Sequence, residues 1–93
     1  MRPLNDAVPG ALAELLRRAP LSSGKVGFAW RAAVGPAMER MTSVQLEGRT
    51  LVVIASGVHW AREIERSSSL ILARLQTLLG KEAIASIAVK ART

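Results

Sequence analysis

A chain of 93 residues suits one domain, spanning 1–93, and folding at this length hides roughly 60–65% of the accessible surface, enough for one modest core. With no cysteine, disulfides, zinc ribbons and thiol chemistry are excluded, and Phe28, Trp30 and Trp60, the only aromatics, are too few for a platform that stacks single-stranded bases. Thirteen Lys and Arg against seven Asp and Glu give a formal charge of +6, and ten of the thirteen cations are arginine, whose planar fork suits phosphate or carboxylate partners.

In "DAVPGALAELLRRAP", Val8, Leu12, Leu15, Leu16 and Ala19 recur at helical spacing and predict a first helix with one buried face. Asp6 reads as its N-cap, Pro9 fits the first turn, and Pro20 ends it. Ser22 or Ser23 caps a second helix. In "GKVGFAWRAAVGPAMERM", Val26, Trp30, Ala33, Val34, Ala37, Met38 and Met41 form its stripe, so Trp30 reads as core. Phe28 lies about 160° around the helix from Trp30 and is expected to meet the first helix or face solvent. Gly35-Pro36 should kink or divide the segment, because proline removes a helix hydrogen bond and disfavours helical geometry before it.

The period then changes. Val44 and Leu46 alternate with Ser43, Gln45 and Glu47, Gly48 marks a short turn, and Leu51 to Ala55 is a β-branched apolar run, which together predict a hairpin. Helical spacing returns from Val58 to Leu79, with Trp60, Ile64, Ile71, Leu75 and Leu78 on one face and Gly80 as the C-terminal cap. "AIASIAVKA" predicts a last strand. A right-handed crossover through the long helix would set this strand parallel to the second one. The expected fold is therefore α+β, of order α-α-β-β-α-β, with a three-stranded mixed sheet covered by helices on one face. No segment approaches the ~18–20 apolar residues of a membrane span. Asn5, Asp6, Pro9 and Gly10 interrupt the apolar stretch a signal peptide would need, so the expected location is the cytoplasm.

Catalysis finds little support. His59 is the single histidine, and Glu63 and Glu65, two apart on a helix, point to different faces and cannot flank one substrate atom. Neither "SSGKVG" nor "LLGKEA" supplies the G-x-x-x-x-G-K-[ST] loop that cradles nucleotide phosphates. No enzyme activity, cofactor or metal is expected. "GKVG" matches the G-x-x-G loop by which KH domains clamp a nucleic-acid backbone, but "MRPLND" hardly supplies the strand required before it. The basic residues are more informative. Arg62 and Arg66 are i, i+4 neighbours whose repulsion costs a few tenths of a kcal/mol, relieved either by an anionic partner or by Glu63 or Glu65. With Lys25, Arg31, Arg49 in the hairpin turn and Arg74, they make the candidate nucleic-acid-binding set. Trp60 begins the apolar stripe of the long helix and reads as its anchor over the sheet. Trp60 and Phe28 are the candidate partner-binding residues, since Trp beside Arg is typical of interaction hot spots.

"WRAAVGPAMERM" resembles a W-x-x-[VA]-V-G element, and "EGRTLVVIASGVHWAREIERSSSLILARLQTLLG" resembles a G-x-L-x-V-x-[VA]-x-S-x-x-W-A-x-E-L stretch followed by a leucine-rich helix ending in L-G. Both characterise the DciA-type family of bacterial replicative-helicase loaders. The match runs from about Trp30 to Val89, with Trp30, Gly35, Trp60 and Glu63 as its marker residues and Ile64 where leucine is commoner. The resemblance implies a KH-like fold without a functional G-x-x-G clamp, and a role in helping a ring-shaped DnaB-type helicase onto single-stranded DNA without consuming nucleotide. The competing expectation is a KH-like RNA- or DNA-binding module acting alone.

Overall fold

The structure, a computed structural model, describes residues 10–92. Its elements are α1 (Gly10–Arg18), α2 (Ser23–Val34), α3 (Pro36–Arg40), β1 (Thr42–Glu47), β2 (Thr50–Ala55), α4 (Val58–Arg66), α5 (Ser68–Leu79) and β3 (Ser86–Ala91). The expected Asp6 cap, Pro9 and Val8 lie outside the described residues.

The strands form one sheet of order β1-β2-β3, antiparallel between the first two and parallel between the last two. This is the expected mixed sheet. The register puts Val44 opposite Val53 and Leu46 opposite Leu51, and sets Leu51 and Val53 beside Ile87 and Val89. These side chains share one face and pack against the helices, because strand side chains alternate with a period of two. Leu51, Val53 and Ala55 are fully buried. The opposite face carries Ser43, Gln45, Val52, Ile54, Ala88 and Lys90 and bears no helix of the described chain. At the hairpin, Gly48 has φ 62° while Arg49 has a negative φ, the φ pattern of a two-residue type II′ turn, which demands glycine first.

Gly35 divides the second predicted helix into α2 and α3, and Pro36 opens α3 at a position where its missing N–H costs nothing. At φ 90° and ψ 163°, Gly35 occupies a region essentially closed to residues with a Cβ. The change of direction carries Ala37, expected on the buried stripe, out to solvent, while Met38 stays packed on the core. Trp30 is buried as expected, at 1% exposure. Its indole Nε1 donates to Thr42 Oγ1 at 2.9 Å, and that hydroxyl donates to the Met38 carbonyl at 2.9 Å. One chain of hydrogen bonds thus joins α2, β1 and α3.

Two expectations need correction. The long helix is interrupted at Ser67, whose φ −104° and ψ 11° fall in the bridge region. The run Ser67, Ser68, Ser69 is a poor helix former, because serine hydroxyls compete for backbone groups. α4 therefore lies against β2 and β3, while α5 turns to meet α1 and α2. In α1, Leu16 packs on the core, but Leu15 (65% exposed) and Ala19 face solvent. The side chain of Leu12, also expected on this stripe, lies outside the described residues, and the helix packs against α5.

Candidate nucleic-acid and partner interface

The six candidate nucleic-acid residues divide by what their cations already hold. Lys25 lies in the first turn of α2, which Ser22 caps by accepting from the Lys25 amide at 3.1 Å. Its side chain runs inward, is 8% exposed, and donates from Nζ to the Ala19 carbonyl at 2.7 Å. A lysine ammonium at the C-terminal end of α1 satisfies carbonyls that the helix leaves unpaired and complements its dipole. Lys25 is thus a structural cap and drops out of the candidate interface. Arg74 donates from Nη1 to the Ala33 carbonyl at 3.0 Å, tying α5 to the end of α2 in the same way. Arg49 is exposed, yet its Nε and Nη2 donate to the carbonyls of Glu82 and Lys81 at 3.1 and 2.8 Å. It holds the hairpin turn onto the segment that follows α5.

Arg31, Arg62 and Arg66 remain on the surface. Arg66 pairs with Glu63 at 3.1 Å, three residues back on the same helix. The pair is exposed, so it contributes little stability and yields readily to a stronger anion. Arg62 has no hydrogen bond or ion pair among the described residues. The helix that presents these groups is held from below by Ala61 and Ile64, both buried, and by Trp60, half-buried against the core. Trp60 therefore anchors α4 and leaves part of its surface available, while Phe28 on α2 is 46% exposed.

"GKVG" does not form a loop. Gly24 and Gly27 both lie within the first turns of α2, so the stretch is helix and not the connecting loop that a G-x-x-G clamp requires. Among the described residues, no group of three or more His, Asp or Glu is placed to hold a metal ion, and no helix is long and apolar enough to cross a membrane.

Two arginines outside the predicted set, Arg40 and Arg92, line one small cleft at the end of the sheet. Sequence reasoning missed them because each alone looks ordinary. Arg40 ends a helix, where a cation suits the dipole, and Arg92 stands beyond the last strand. Only the strand order brings them to one place.

The marker residues have structural tasks here: Trp30 holds Thr42, Gly35 turns the chain, Trp60 seats α4, and Glu63 pairs with Arg66. A search among curated proteins finds no match. The family model described as "Dna[CI] antecedent, DciA" matches residues 3–89 and so includes both motifs. With nearly the whole sequence and its two motifs covered, the chain belongs to the DciA family, whose role is tied to replicative-helicase loading.

Proposed function

We propose that this domain is a non-enzymatic replication factor of the bacterial cytoplasm that binds a DnaB-type replicative helicase and assists its loading on single-stranded DNA. The family match over residues 3–89 carries this reading. Weak contact with the DNA falls to exposed cations, above all Arg62 and Arg66 on α4, with Arg31 in support. Binding through a few such contacts is non-specific and strongly salt dependent. The partly exposed Trp60 and Phe28 are the aromatic anchors proposed for the protein partner.

The physical logic is that of a scaffold. α4 is fixed to the sheet through Ala61, Ile64 and Trp60, so the backbone carrying its arginines needs no ordering on binding and only their side chains lose rotamer freedom. A KH-like nucleic-acid module acting alone is the less favoured reading, because its only G-x-x-G sequence is helical. Purified protein run with its cognate helicase through size exclusion, followed by helicase occupancy on single-stranded DNA, tests the proposal. Co-elution with raised occupancy supports it. Absence of both would overturn it.

A further inference from the structure

We propose that the cleft between Arg40 and Arg92 is a phosphate-binding site that takes one phosphodiester of a single-stranded nucleic-acid backbone. Its lining does not include the α4 arginines, and it is a second contact point on the domain. It rests on the reading that this protein meets single-stranded DNA, but it needs no helicase contact.

The cleft is built at the end of the sheet where β1 begins and β2 and β3 finish. Arg40, Ser43, Ile54, Ser56 and Arg92 line it, together with Met41 and Thr42. Its walls are fixed by backbone hydrogen bonds: the Ser56 amide donates to the Met41 carbonyl at 2.9 Å, and the Arg92 amide donates to the Ala55 carbonyl at 2.8 Å. The two arginines, 52 positions apart in sequence, are therefore held to a common site by strand pairing.

The lining is suited to an anion. No acidic residue lines the cleft, and the nearest in sequence, Glu39, is not part of it. Neither guanidinium forms an ion pair or hydrogen bond among the described residues, and the same holds for the Ser43 and Ser56 hydroxyls. Thr42 has its hydroxyl committed between Trp30 and Met38. Four residues that carry free side-chain donors thus line one space: two arginines, whose guanidinium forks fit phosphate oxygens, and two serines. α4 begins two residues after Ser56 without a side-chain cap, so its first amides add positive potential to this end of the sheet.

Size selects within the anions. The cleft holds about 100 Å³, well below the ~300–1,000 Å³ of pockets that enclose whole small molecules. It has room for a phosphate group and not for a nucleotide. Both arginines are exposed, so a continuous strand can lay one phosphate in the cleft and run on past it. The absence of any aromatic residue from the lining makes the contact indifferent to base identity.

The test is salt-dependent binding of a labelled oligothymidylate to the full 93-residue chain, comparing wild type with Arg40→Ala, Arg92→Ala and the double variant. A control, Arg18→Ala with Lys81→Ala, removes the same charge from exposed positions elsewhere. If both arginines clamp one phosphate, each single variant flattens the slope of log K against log salt by about 0.7, and the double variant loses no more than either single. An unchanged slope in the double variant, or a loss equal to that of the control, overturns the proposal. In a second arm, inorganic phosphate and the oligonucleotide are titrated against the Arg40 and Arg92 Nε–H resonances. Perturbation by both supports the strand assignment, whereas perturbation by inorganic phosphate alone overturns it and leaves a small-anion site. Loss of binding on Arg62→Ala with Arg66→Ala, with none on Arg40→Ala with Arg92→Ala, would sink this site and leave the proposed function standing.

Discussion

Trp30 donates its indole N–H to Thr42 across twelve residues of sequence, at 2.9 Å, in a place where the tryptophan is almost wholly buried. The bond joins the first family motif to the start of the sheet. Replacing Thr42 with valine keeps the volume and removes the acceptor, leaving a buried donor unpaired at a cost of about 1–3 kcal/mol. In a domain of this size each kcal/mol lowers Tm by about 4–8 °C. A double-mutant cycle with Trp30→Phe should show non-additivity of at least about 0.5 kcal/mol. Strict additivity would mean the bond contributes nothing.

Gly35 and Gly27 should respond to alanine with opposite signs. An added Cβ meets nothing within 4 Å at either position, so backbone conformation decides. Gly35→Ala forces a side chain into φ 90° and should cost about 1–3 kcal/mol. Gly27→Ala, inside α2, should gain about 0.5–1 kcal/mol and leave DNA binding unchanged. Chemical denaturation with parallel binding assays checks both. Loss of DNA binding in Gly27→Ala would restore "GKVG" as a clamp.

Lys25→Met keeps most of the apolar stem and removes the ammonium that caps α1. The expected loss is about 1–2 kcal/mol of stability, with no change in the salt slope of DNA binding. Thermal melts and the salt series separate the two effects. A flattened slope with unchanged stability would return Lys25 to the interface.

Arg62 and Arg66 should differ. Arg62→Ala removes a cation free among the described residues, whereas Arg66→Ala removes one already shared with Glu63. The first variant should weaken DNA binding more. Glu63→Gln should strengthen it at low salt by releasing Arg66, with the gain fading as salt rises. Equal effects of the two arginine variants, with none from Glu63→Gln, would show that the ion pair does not compete with the nucleic acid.

The hairpin, the α2-α3 division and the burial of Trp30 were all legible in the sequence, because each follows from a short-range rule: alternation, proline after glycine, or helical spacing. The break at Ser67 was less so. Ile64 and Ile71 stay in phase through it, and periodicity alone cannot distinguish one long helix from two that share a buried side. The cations were least legible. Lys25, Arg49 and Arg74 look like surface charge in sequence, yet each serves a backbone carbonyl supplied by another part of the chain. Their partners are set by tertiary packing, as is the meeting of Arg40 with Arg92.

Whether this protein helps load a helicase is decided by helicase occupancy on single-stranded DNA, measured with and without it at matched salt. Occupancy should be higher with the wild-type chain, gain less with Arg62→Ala and Arg66→Ala together, and be accompanied by co-elution with the helicase in both cases. Occupancy that does not rise, from a folded protein that also fails to co-elute with the helicase, would contradict the loading role.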